Sequence, residues 1–245
     1  MSLLFKSKGV KRGFDLIVNP QNSPLRWLHF GILYLPSEGN SYVESSGDKE
    51  VAVCILNGKV DIRISSKYYE TFLYENLGNR EDVFSGLATA VYIPSESEIE
   101  ICAITSGVEV AIVKATSSSH VLPSVILPKN ISLNWGGNSN WRRQVATLIG
   151  DNVNSEKLVL GETRNPSGNW SSYPPHKHDT LKLPGEIPLE EVYFFKLKPA
   201  QGFGIQWIYS EGDEQNHLNE VYVVENNDAI VIPRGYHHIV AAAGY

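Results

Sequence analysis

The sequence predicts an all-β protein organised as two tandem barrels. Three observations lead there. Apolar periodicity of the helical kind is nearly absent, and short β-rich runs recur at 51–56, 60–65, 90–94, 108–114, 191–198, 204–209, 220–225 and 229–233. Asn-Gly, Pro and Gly punctuate these runs at roughly ten-residue spacing, the mark of a sandwich or barrel. The third observation is an internal echo. Ala90-Val-Tyr-Ile-Pro94 and Ala229-Ile-Val-Ile-Pro233 align without a gap, placing Glu98 opposite His237. Upstream in each half a Glu opens a strand, in Glu50-Val-Ala-Val-Cys-Ile and Glu191-Val-Tyr-Phe-Phe. An order of Glu-strand, hairpin and strand-Pro that occurs twice is the footprint of a degenerate duplication.

The elements follow in order along the chain. Asn57-Gly58, between two apolar runs, predicts a two-residue hairpin. The stretch 116–141 is rich in Ser, Asn, Gly and Pro and predicts a connection, which gives an N-terminal domain at 1–115 and a C-terminal domain at 142–245. A chain of 245 residues, 42% hydrophobic and 20% charged, suffices for two medium β domains with real cores. Net charge is −6 with no Lys/Arg cluster, which argues against nucleic acid as a partner. The opening Met1-Ser-Leu-Leu-Phe-Lys lacks the apolar core of an export signal, and no run approaches membrane-spanning length. A cytoplasmic location is therefore expected, with no membrane partner. Cys54 and Cys102, both in strand-like runs, are expected as free buried thiols.

Five of the seven histidines fall after residue 170, and three meet a geometric test. His176 and His178 flank Lys177, so in an extended segment both imidazoles project to one side, about 6–7 Å apart at Cα. That spacing lets both reach one cation at roughly 2.0–2.2 Å. Pro174-Pro175 holds the preceding backbone extended. A third ligand is expected from Glu191 at the start of its strand, and a fourth from His237 after Pro233-Arg-Gly. Three imidazoles and one carboxylate suit zinc, iron, manganese or nickel rather than calcium or magnesium. Only the second copy carries the His pair, so the first barrel is expected to lack a metal site.

These residues carry a resemblance. His-x-His, then Glu, then a distal His after a Pro-x-Gly turn looks like the metal motif of cupins, whose barrels are double-stranded β-helices of jelly-roll type. The segment from Gly161-Glu-Thr-Arg through Tyr-Pro-Pro-His-Lys-His-Asp resembles the 5-deoxy-glucuronate isomerase family of inositol catabolism. Glu190-Glu-Val-Tyr-Phe-Phe and Pro233-Arg-Gly-Tyr-His add to the likeness. A related isomerase of 4-deoxy-5-keto-hexuronates shares the plan. The resemblance implies a bicupin fold, a divalent cation such as Zn2+ (with Mn2+ or Fe2+ as other occupants) and aldose–ketose isomerisation of a deoxy-hexuronate. It also implies a further strand after the last ligand, where this sequence ends at Gly244-Tyr245.

Two departures bear on the ligands. Twelve residues separate His178 from Glu191, and this insertion, with Pro184-Gly185, reads as a loop over the barrel mouth. Glu190 competes with Glu191, but Glu191 directly precedes Val-Tyr-Phe. His237 is followed by a second histidine, and alternation allows only one of the two to ligate. His237 is the choice here.

Isomerisation also needs a proton shuttle and a carboxylate anchor. Tyr193 shares the strand parity of Glu191 and is the candidate for the first, or else packs in the interior. Arg164 is the candidate for bidentate capture of a uronate carboxylate, with Arg234 behind it. Trp170 could stack on a sugar face, and Lys177 is expected in solvent. Gln206 and Tyr222 lie on strands of the same barrel without a parity anchor, and His29, His120 and His217 have no partner pattern. Two rival classes share the ligand set: an iron(II) dioxygenase and a sugar-binding bicupin without turnover. Exposed barrel edges predict a homo-oligomer.

Overall fold

The computed structural model describes residues 2–211 and 217–245. Among them helix is confined to two single 3-10 turns, Pro128–Asn130 and Ser139–Trp141, and every strand pair is antiparallel. No helix is long and apolar enough to cross a membrane.

In the first half a six-stranded sheet runs in the order Ser124–Ile126, Thr89–Ile93, Lys49–Asn57, Val108–Thr116, His29–Leu35, Gly13–Val18. A four-stranded sheet has the order Ser41–Ser45, Glu98–Ala103, Val60–Ser66, Tyr69–Leu77. Alternation explains how the two close on each other. Val60, Ile62 and Ile64 turn inward to meet Val51, Val53 and Ile55 in one core, while Arg63 stays outside. Each such side chain contributes roughly 1.5–3 kcal/mol on burial. Strand Lys49–Asn57 is buried on both faces, because Ala52, Cys54 and Leu56 join a second core with Ala146, Leu148 and Ile149 of the other half.

The second half contains a four-stranded sheet, Trp170–Ser171, Tyr236–Ala241, Phe203–Tyr209, Asn219–Glu225, and two three-stranded pieces. One piece is Leu4–Phe5, Ala229–Ile232, Glu191–Phe194; the other is Ser132–Gly136, Arg143–Ile149, Leu160–Arg164. In the first half Val108–Thr116 fills the place between Lys49–Asn57 and His29–Leu35. Among the described residues no strand fills the matching place between Glu191–Phe194 and Leu160–Arg164, so that sheet stays in two pieces.

Strand pairs and ion pairs cross the expected domain limits. Leu4–Phe5 pairs with Ala229–Ile232, and Lys6 reaches Glu225 and Asp228 at 2.7 and 2.8 Å, so the N-terminal segment belongs to the C-terminal half. The stretch 116–141 is not a bare connection: Ser124–Ile126 joins the first half and Ser132–Gly136 the second. Both are short edge strands set among Ser, Asn, Gly and Pro, which is why composition alone hides them.

The internal echo is also shifted by one residue. Pairing register sets Val51 against Ile93 and Glu191 against Ile232, so Val51, not Glu50, is the counterpart of Glu191. Likewise Glu98 is exposed at the rim and Ile99 is the inward residue. One-residue slips flip a side chain to the other face, and here they leave the first barrel filled with aliphatic groups. Glu50 instead faces the second half. It is fully buried, accepting N–H groups of Glu156, Lys157 and Leu158 at 2.7–2.9 Å and the Tyr92 hydroxyl at 2.7 Å. Nearby Arg80 grips Glu162 bidentately at 2.6 and 2.9 Å across the same seam. Both thiols are free; Cys54 is buried, whereas Cys102 is half-buried because Ile101 and Ala103 take the inward positions beside it.

Candidate metal centre

His176, His178, Glu191 and His237 arrive from three stretches of the second half. Glu191 opens the strand Glu191–Phe194, and its parity with Tyr193 turns both inward while Phe194 packs outward on Phe30, ring centroids 5.3 Å apart. His237 lies in Tyr236–Ala241 opposite Ile208, fully buried. The turn before it needs glycine: Gly235 has φ +88°, and a Cβ there would sit 2.6 Å from the Tyr209 carbonyl oxygen. His176 and His178 stand in a stretch without strand partners. Asp179 ties that stretch to the turn by accepting the Gly235 N–H at 2.7 Å.

The three imidazoles can each offer a nitrogen such that all three atoms lie within 4.8 Å of one another. Glu191 Oε2 stands 3.3 Å from His237 Nε2, and its Oε1 stands 3.5 Å from His178 Nε2. Tautomers follow from the partners. The Gly235 carbonyl lies 2.9 Å from His237 Nδ1 and can only accept, so the proton sits on Nδ1 and Nε2 presents a lone pair. With the Glu191 carboxyl ionised, against the upward push that burial gives it, His237 Nε2 and Glu191 Oε2 are two acceptors facing each other, both buried and neither with a hydrogen-bond partner. Such an arrangement is costly unless something positive sits between them. Burial, reinforced by the other rings, also holds His176 and His237 below the ordinary imidazole range, which keeps them neutral as ligands must be. These four residues fit a divalent cation.

His238 is not part of the cluster. Its Nδ1 donates to the Ser172 carbonyl at 3.0 Å, and its Nε2 accepts from the Tyr209 hydroxyl at 3.1 Å. Glu190 points away, accepting the N–H groups of Arg26 and Trp27 at 2.7 and 3.0 Å.

Tyr193 reaches the cluster, its ring centroid 5.9 Å from that of His237. Its hydroxyl lies 2.9 Å from Ser172 Oγ. Burial, then the Glu191 charge, pushes this phenol well above the usual tyrosine range, so it stands protonated. Ser172 is a residue that sequence reasoning missed. It is buried with φ +54°, a conformation rare outside glycine, and the His238–Tyr209 pair clamps its carbonyl.

Arg164 is corrected. It donates to the Gly86 carbonyl of the first half and shares a face with Glu162, which is bound to Arg80, so its side chain is directed away from the histidines. Strand alternation, not distance along the chain, decides this. Trp170 pairs with Val240 on the outward face, because its neighbour Ser171 pairs with inward Ile239. Gln206 and Tyr222 are cross-strand partners on the inward face; Gln206 is buried and donates to the His238 carbonyl at 2.9 Å. Lys177 is not simply solvated: it meets Glu186 at 3.2 Å and Asp179 at 3.3 Å. Glu186, held down to about 2 chiefly by the Thr180 and Asp179 N–H groups, cinches the base of the loop 179–190. A cleft of about 380 Å³ opens elsewhere, on the seam near Glu109 and Asp82, but its charges are already paired with Lys196 and Lys198.

Two antiparallel barrels, one filled with aliphatic side chains and one holding three histidines and a glutamate, define a bicupin with one candidate metal centre among the described residues. Comparison with known proteins agrees. The chain matches the KduI/IolB family over residues 3–245, and it belongs to that family. It is 35% identical over 241 residues to the 5-deoxy-glucuronate isomerase of Halalkalibacterium halodurans, covering 98% of this chain and 85% of that one. With the enzyme of that name from Bacillus subtilis strain 168 it is 34% identical over 244 residues, 98% and 86% of the two chains. A crystal structure of an IolB-like protein from Salmonella typhimurium superposes with TM-score 0.90 at 27% identity, covering 100% and 89%. Oxalate decarboxylase of Bacillus subtilis matches at TM-score 0.63 and 12% identity over 97% and 71%, a likeness of fold alone.

Proposed function

We propose that this chain is a 5-deoxy-glucuronate isomerase, converting that aldose to 5-dehydro-2-deoxy-gluconate in myo-inositol catabolism. The observation that carries the reading is the match of 98% of the chain, ligand strand included, to relatives bearing that name. The facing buried acceptors of His237 and Glu191 support a divalent cation in the same barrel.

The reaction moves hydrogen between adjacent carbons while the carbonyl changes place, so one C–H bond breaks, another forms, and no oxidant is consumed. A divalent cation held by His176, His178, Glu191 and His237 would supply Lewis acidity toward the carbonyl and its neighbouring hydroxyl. Zinc suits three nitrogens and one carboxylate oxygen, and manganese or iron(II) would also be accepted. The chain's own groups do the rest. Gly235 and its carbonyl fix the His237 ring, leaving Nε2 directed inward. Tyr193, anchored by Ser172, presents a protonated hydroxyl beside Glu191 and is placed to give a proton to an oxygen of the substrate. A soluble, cytoplasmic protein fits this chemistry. A homo-oligomer fits the exposed row Phe203, Ile205, Trp207 on one face of the second barrel.

The test is NMR of the purified protein with 5-deoxy-glucuronate in the absence of oxygen, with and without chelator. Anaerobic conversion that chelation stops is the expected result. Turnover only with oxygen would indicate a dioxygenase, and metal binding without any conversion would indicate a sugar-binding protein; either outcome sinks the proposal.

A further inference from the structure

Arg164 leaves the substrate carboxylate without a partner, and the fold supplies another guanidinium. Strand Arg143–Ile149 places Gln144 opposite Arg164 and Ala146 opposite Glu162, the face that packs on the first half. Alternation then turns Arg143, Val145 and Thr147 to the opposite face, toward the interior of the second barrel. Neighbouring Arg142 goes outward instead, its guanidinium 4.4 Å from the Trp135 ring centre. Arg143 lies flat over its cross-strand partner: a Cβ built on Gly136 would come 3.6 Å from the guanidinium carbon.

Three further observations bear on this guanidinium. Arg143 is half-buried, yet no carboxylate among the described residues lies within ion-pair distance of it; Arg80, Lys177 and Lys196 all have one. Among the described residues its side-chain hydrogen bond is a long one, 3.4 Å, to the Trp141 carbonyl. Trp141 in turn packs on Tyr173, three residues before His176, with ring centroids 5.4 Å apart.

We infer that Arg143 is the residue that binds the carboxylate of the sugar acid, holding it bidentately so that the far end of the substrate reaches the histidine cluster. The inference rests on the sugar-acid reading above and adds the group that distinguishes an acid sugar from a neutral one. A planar fork matches a carboxylate in two parallel hydrogen bonds, which lysine cannot reproduce. A half-buried cation with no carboxylate beside it among the described residues is also what a site built for an anionic ligand presents before the ligand arrives.

The experiment measures binding by calorimetry, so it does not depend on turnover. D-glucuronate serves as the carboxylate probe and D-glucose as the same ring without it, each titrated into the metal-loaded wild type, Arg143→Met and Arg143→Lys. Glucuronate affinity should fall at least 30-fold in Arg143→Met and about 10-fold in Arg143→Lys. Glucose binding, metal content and melting temperature should stay at wild-type values. Unchanged glucuronate affinity in Arg143→Met, an equal loss for both sugars, or no preference for glucuronate over glucose in the wild type overturns the assignment. Failure of the isomerase reading would appear separately, as absent conversion in the anaerobic NMR assay.

Discussion

His176→Ala is expected to abolish metal retention and reduce isomerisation to background while leaving the melting temperature of the metal-free protein within about 2 °C of wild type. The reasoning starts from where the ring stands. His176 is carried by a stretch without strand partners, and among the described residues its side-chain hydrogen-bond contact is Nδ1 to the Pro174 carbonyl at 3.4 Å. Removing it therefore breaks no sheet. What it removes is one of three nitrogens that converge within 4.8 Å. Loss of a ligand from a four-ligand site typically lowers affinity by orders of magnitude, because each donor contributes to a binding free energy of about 10–16 kcal/mol for a structural zinc. Elemental analysis after dialysis, with turnover assayed on the same sample, checks both halves. Full occupancy with normal turnover would mean that the ligands have been misassigned.

Glu50→Ala is expected to do the reverse: large damage to stability and none to the ligand set. Its carboxylate is fully buried and takes four donors, three of them backbone N–H groups of residues 156–158 in the other half. Deleting it leaves those donors, the buried Leu158 N–H among them, without their carboxylate partner in the seam. The cost of stripping one side of a buried charged hydrogen-bond cluster is about 3–5 kcal/mol. For a chain of this size that corresponds to roughly 10 °C in melting temperature. Glu50→Gln is also expected to destabilise, because its amide nitrogen would face N–H donors. Calorimetric melting of both variants, with metal content of the folded fraction, is the check. A wild-type melting temperature for Glu50→Ala would show that the seam does not depend on this carboxylate.

These two residues also show what the sequence could and could not disclose. His-x-His, the Glu opening Val-Tyr-Phe and the histidine after Pro-Arg-Gly are legible because each rests on local alternation or a local turn. All four are brought together in the second barrel. Local alternation also places Glu191 rather than Glu190, and His237 rather than His238, on the side where the other two histidines stand. Glu50 reads in the sequence as the counterpart of Glu191 because its strand is apolar on both faces, which erases the period-two signal that fixes register. Arg164 was misplaced for a related reason. Leu160–Arg164 reads Leu-Gly-Glu-Thr-Arg, too polar to reveal its inward face, and only pairing with Gln144 settles it. Ser172, a buried non-glycine residue at positive φ, leaves no local trace at all. Arg143 begins a strand immediately after a stretch whose composition spoke only of a loop.

X-ray absorption at the metal edge tests the central claim most directly, on wild-type protein and on His176→Ala loaded with the same ion. One ion per chain with three imidazole nitrogens and a carboxylate oxygen around it, and a coordination shell lost or depleted by one imidazole in the variant, is the predicted result. A spectrum without imidazole scattering, or one identical in the two proteins, would contradict it.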